Sequence, residues 1–80
     1  MNNLEKYTQL FVDTFGVKTE EAQNLKYQGI EAWDSVGHMS LISAIEDAFD
    51  IMMDTDDIIE FNSFEKGKEL LSKEAYGIQF

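Results

Sequence analysis

The run Asp34-Ser35-Val36-Gly37-His38-Met39-Ser40-Leu41-Ile42-Ser43-Ala44-Ile45-Glu46-Asp47-Ala48-Phe49 carries the strongest periodic signal in this chain. From Ser35 onward, Val36, Met39, Ile42, Ala44, Ile45, Ala48 and Phe49 recur at three- and four-residue spacing, with the acids Glu46, Asp47 and Asp50 between them. That is the pattern of an amphipathic helix. Asp34 or Ser35 supplies its N-cap, because either side-chain oxygen can accept from a free amide of the first turn. Gly37 weakens that turn.

Upstream, Leu4, Tyr7, Leu10, Phe11 and Phe15 predict a first helix, closed by Gly16 in the left-handed conformation. Between Gly16 and Asp34 the apolar residues Val17, Leu25, Tyr27, Ile30 and Trp33 show no sustained period, and Gly29 interrupts them. A long loop is predicted there, with room for a short turn starting at Thr19. A connection of that length in so small a domain points to function. Downstream, Asp54 or Thr55 can cap a brief third helix through Glu60. Asn62 or Ser63 then caps a last helix along Phe64, Gly67, Leu70, Leu71 and Ala75, ending near Gly77. The expected fold is all-α: four helices, the third short, with a long loop between the first two and no strands.

The 80 residues suffice for one domain spanning 1–80, since a chain of this size buries only about 60% of its unfolded surface. Hydrophobic residues at 44% and charged residues at 28% are ordinary globular usage. Without cysteine, a disulfide framework, a thiolate metal site and a thiol nucleophile are all excluded. No basic stretch with an apolar run opens the chain, and no segment is long enough to span a bilayer, so a cytoplasmic protein without membrane insertion is expected. The net charge of −10, from 16 acids against six lysines and no arginine, repels nucleic acid and favours a monomer. Glu31, Asp34, Glu46, Asp47, Asp50, Asp54, Asp56, Asp57, Glu60 and Glu65 fall in a stretch free of Lys and Arg. Such a face keeps a protein soluble or docks basic partners. Clustered acids also repel one another, which predicts that Asp56→Asn with Asp57→Asn raises the melting temperature.

Asp-Ser before an apolar helix is by itself an ordinary cap. In this setting, after a long loop and between a carboxylate and an apolar residue, the Ser35 hydroxyl is expected to be exposed and presented to another protein. Here the chain resembles the acyl carrier protein family, in which an Asp-Ser-Leu motif opens the second helix and the serine bears 4′-phosphopantetheine. The resemblance rests on Asp34-Ser35-Val36 and the register through Phe49. It continues through Phe15-Gly16, the acid-rich third segment and Asn62-Ser63-Phe64, so that it covers almost the whole chain.

The resemblance implies a free-standing, non-enzymatic carrier that moves acyl thioesters between biosynthetic enzymes of a fatty acid, polyketide or specialised pathway. Ser35 would receive the arm, Asp34 would help a phosphopantetheinyl transferase position magnesium and coenzyme A, and Val36 would fill the motif's Leu position. Glu46, Asp47, Asp54, Asp56 and Asp57 would form the surface that meets basic patches on the transferase and on acyl-activating, synthase or acyltransferase partners. Departures from the family pattern are Gly37 and Ser40 where acids are usual, Trp33 where a small residue is common, and Asp54 in place of a proline. They look more like specialised stand-alone carriers than the housekeeping fatty acid carrier.

Other readings stay open at the level of sequence. An aminoacyl or peptidyl carrier shares the fold, and an unmodified acidic interaction module fits the same charge and helices. Asp54, Asp56 and Glu65 occupy positions one, three and twelve of an EF-hand loop, but Ile58 and Ile59 stand where an oxygen ligand and a glycine are needed. His38, three residues after Ser35, is expected as an exposed helical histidine rather than a catalytic base. Trp33 is expected to pack over the helix entrance against the core. Met39, Met52 and Met53 are expected in the core.

Overall fold

A computed structural model describes residues 1–80. It contains the helices α1 (Asn3–Phe15), α2 (Thr19–Ala22), α3 (Ser35–Phe49), α4 (Thr55–Glu60) and α5 (Phe64–Leu71). There is no sheet; Lys26 and Ser63 form an isolated antiparallel bridge. The predicted turn at Thr19 is a one-turn helix, so the chain has five helical segments where four were expected. The loop is correspondingly shorter.

α1 forms because both its ends are satisfied locally. Asn2 accepts from the Glu5 amide while Glu5 reaches back to the Asn2 amide, and Gly16 closes the helix at φ 67°. Its inward stripe is Tyr7, Thr8, Phe11 and Phe15, whereas Leu4 is exposed and Leu10 only half-buried. Thr8 satisfies its hydroxyl within the helix, donating to the Leu4 carbonyl at 2.8 Å. Tyr7 donates to the Phe64 carbonyl at 2.8 Å, and burial pushes its phenol far above the usual range. This bond ties the start of α5 to α1.

α3 packs against α1, and its buried residues are Leu41, Ile42 and Ile45. The expected stripe differs at its N-terminal end: Val36 is 76% exposed and Met39 50%, while Leu41 is fully buried. The core these helices enclose is aromatic. Phe11 meets Tyr7, Phe15, Trp33 and Phe64 edge to face, with ring centroids 5.0 to 6.0 Å apart. Each such pair contributes about 0.5–1.5 kcal/mol beyond the area it buries.

α5 stops at Leu71, six residues short of the predicted end at Gly77, and Ala75 is exposed. The reason is a competing set of contacts. Lys73 and Tyr76 turn towards Asp57 on α4, the Gly77 amide donates to the Lys73 carbonyl, and the Ile78 amide donates back to Leu71. The chain then returns across the bundle with Ile78 buried.

Candidate functional site

Ser35 is the first residue of α3 and is exposed. Asp34 is the N-cap: its backbone is extended and its Oδ1 accepts from the Gly37 amide at 2.8 Å. Gly37 lets the incoming loop pass tightly beneath this first turn. A Cβ there would lie 2.0 Å from the Ala32 carbonyl oxygen and 3.3 Å from the Phe15 ring. An acidic side chain at position 37 is therefore sterically excluded.

The Ser35 Oγ lies 3.2 Å from the Tyr27 hydroxyl. Both stand at one side of a groove of about 390 Å³ whose walls are His38 and Met39 of α3, Ile58 and Ile59 of α4, and Phe61 and Asn62 beyond it. Val36 points away from this groove, into a shallower surface with Ser40, Ser43 and Asp47. The groove offers apolar walls with a few polar groups at one end, the ordinary make-up of a small-molecule site.

Trp33 fills the space behind that wall. It is fully buried, stacked on Phe15 at 5.2 Å, as expected from its place before the helix. His38, in contrast, is not the free surface histidine its position suggested. It is half-buried, its Nδ1 accepts from the Trp33 Nε1 at 2.9 Å, and its Nε2 is 2.8 Å from the Ile58 carbonyl oxygen. Both ring nitrogens are committed to other partners, the Trp33 indole and the Ile58 carbonyl, so His38 joins α3 to α4 and is not placed as a base.

The five acids assigned to a docking face separate by environment. Asp47, Asp54 and Asp56 are exposed. Glu46 is half-buried and caps the loop after α3, its Oε2 accepting from the Met53 amide at 2.9 Å. Asp57 departs from the expectation: it is buried, with Oδ1 paired to Lys73 and Oδ2 accepting from the Tyr76 hydroxyl at 2.6 Å. Its carboxylate belongs to the fold and is unavailable to a partner. The hydrogen bond from Lys73, followed by that from Tyr76, holds its pKa below the usual carboxylate value. Burial, then the bond to Asp57, pushes Tyr76 up, and the bond to Asp57 raises Lys73. The same Tyr76 hydroxyl accepts from the Asp54 amide at 2.8 Å, which satisfies a free N–H at the start of α4.

Of the methionines expected inside, only Met53 is buried; Met39 and Met52 are exposed. The EF-hand alternative fails on backbone conformation, because residues 55–60 are helical where a calcium loop must wrap an ion. No cluster of three or more His, Cys, Asp or Glu side chains is arranged to hold a metal. Nor is any helix long and apolar enough to cross a membrane. Searches against protein-family models, curated proteins and solved structures gave no match to this chain.

Proposed function

We propose that this chain is a non-catalytic carrier of the acyl carrier type, with Ser35 as the attachment point of a 4′-phosphopantetheine arm. The observation that carries this reading is the Ser35 hydroxyl itself. It is exposed on the first residue of the longest helix, beside the Asp34 carboxylate, at the rim of an apolar groove, in a chain with no thiol of its own. If α2 is counted with the loop, the order of two long helices, a short one and a final one also agrees with the arrangement the resemblance implies.

On this reading the chemistry of loading belongs to a phosphopantetheinyl transferase with magnesium. The Ser35 Oγ forms a bond to the phosphorus bearing the pantetheine. The bond from that phosphorus to the bridging oxygen of the coenzyme A pyrophosphate breaks, adenosine 3′,5′-bisphosphate leaves with the electron pair, and the hydroxyl proton passes to a base on the transferase. Such a transfer depends on positioning and on charge neutralisation by metal. The arm's thiol then carries acyl groups as thioesters between cytoplasmic enzymes. Asp47, Asp54 and Asp56 supply the exposed negative charge for partners with basic patches, and Glu46 lies beside them.

The absence of cysteine makes a direct test available. Titration with a thiol-reactive chromophore gives no signal from the untreated chain. After incubation with coenzyme A, magnesium and a broad-specificity transferase, followed by removal of small molecules, it gives one thiol per chain. No protein-bound thiol, under conditions that load a control carrier, leaves an unmodified acidic interaction module in its place.

A further inference from the structure

Tyr27 lies in the segment that shows no periodicity, eight residues before Ser35, yet its surroundings are built rather than loose. Its amide donates to the Asn62 carbonyl at 2.9 Å, next to the Lys26–Ser63 bridge and the bond from the Phe64 amide to the Leu25 carbonyl. The loop is therefore pinned, strand-like, to the linker between α4 and α5. On its other side Gln28 takes a left-handed backbone at φ 63° and donates to the Trp33 carbonyl at 2.9 Å. A non-glycine residue in that region is strained, and it persists where the surroundings hold it. The ring is fixed edge-on against His38 at 5.4 Å and Trp33 at 6.4 Å. All of these contacts aim one polar atom, the phenolic oxygen, at Ser35.

We propose that Tyr27 is a positioning residue for Ser35, holding the serine hydroxyl for modification and then hydrogen-bonding the phosphodiester that modification creates. The proposal rests on the carrier reading of Ser35. A phenol suits both states because it accepts and donates. While Ser35 carries its proton, the Tyr27 oxygen can accept it, which leaves the serine lone pairs turned outward to the incoming phosphorus. Once Oγ is esterified it has no proton, and the phenol must be the donor, to the ester oxygen or to a non-bridging oxygen of the phosphate. The arm then starts along the groove walled by His38, Met39, Ile58 and Ile59 instead of pointing freely into solvent. Tyr27 takes no proton in the transfer.

Tyr27→Phe tests this, because it removes the oxygen and keeps the ring packed on Trp33 and His38. Followed by intact mass with one transferase, the variant is expected to show kcat lowered roughly two- to tenfold, the worth of one neutral hydrogen bond, with KM unchanged. In the loaded proteins the ³¹P resonance of the phosphodiester is expected to differ between native and variant, a change that a purely structural role for the ring would not produce. Equal kcat with coincident ³¹P resonances overturns the proposal. So does a rise in KM alone, which would make Tyr27 a contact for the transferase. If the variant does not fold, the loaded native protein decides: nuclear Overhauser contacts between the Tyr27 ring and the arm's first methylene are expected, and their absence overturns the proposal. A native chain that accepts no arm at all removes the carrier reading itself, an outcome distinct from an arm that is accepted equally with and without the phenol.

Discussion

The indole Nε1 of Trp33 donates to the Nδ1 of His38 across 2.9 Å, and the two ring planes lie within 16° of each other. An indole can only donate, so Nδ1 carries no proton, and the neutral imidazole holds its hydrogen on Nε2 and donates it to the Ile58 carbonyl. The ¹⁵N spectrum of the imidazole is therefore expected to show the Nε2–H tautomer at neutral pH; a dominant Nδ1–H form would contradict this. His38→Ala leaves a buried indole N–H without a partner, a loss of about 1–3 kcal/mol. In a domain of this size each kilocalorie lowers the melting temperature by about 4–8 °C.

Gly67 stands in the middle of α5 where Tyr7 and Phe61 come closest. An added Cβ would lie 2.1 Å from the Tyr7 hydroxyl oxygen and 2.3 Å from the Phe61 ring. Alanine is the better helix former by about 1 kcal/mol, yet Gly67→Ala is expected to destabilise by about 1–3 kcal/mol through overpacking. Because one clash is with the phenolic oxygen, Tyr7→Phe should relieve part of the loss. Urea denaturation of the two single variants and the double variant measures that coupling. Strict additivity would mean the helix moves as a whole.

Asp57 sets the acid limb of stability. Its folded pKa is lowered, so its contribution is complete above the unfolded carboxylate value of about 3.9 and is lost as pH falls through the folded value. Lys73 and Tyr76 are raised, so their contributions are complete below their ordinary values and fade as pH rises through the folded ones. Asp57→Asn should lower the melting temperature at neutral pH and flatten its acid dependence. Asp56→Asn, at an exposed neighbour, should leave it equal or higher. The expectation that both substitutions together stabilise the fold is thereby reversed for Asp57, and melting curves of the single variants across acid pH separate the two.

Partner recognition should follow exposure. Asp47→Lys together with Asp56→Lys is expected to raise the KM of the transferase at low salt, with the difference shrinking as salt is added. The melting temperature should change little. An unchanged KM at low salt would place the docking surface elsewhere.

How far these features were legible depended on how local their causes are. α1 and the span of α3 followed from side-chain spacing, with Gly16 closing the first and Asp34 capping the second. The inward face of α3 was harder, because the helix is apolar on two sides. Leu41, Ile42 and Ile45 turn inward, while Val36 and Met39 stay out beside Ser35. The polar His38 sits on the inward side, and the buried Trp33 N–H and the Ile58 carbonyl explain its place there. Asp57 looked like any other acid, since its partners lie 16 and 19 residues away. Their pull also ends α5 early. Tyr27 gave no periodic signal because the bridge between Lys26 and Ser63, distant in sequence, sets its position and no helix does.

Whether Ser35 accepts the arm can be read from the intact mass of the native chain and of Ser35→Ala after incubation with coenzyme A, magnesium and a transferase. The native chain should gain one phosphopantetheine, mapped by fragmentation to Ser35, and Ser35→Ala should gain none. A native chain left unmodified while a control carrier is loaded, or an equal gain on Ser35→Ala, would mean that Ser35 does not bear the arm.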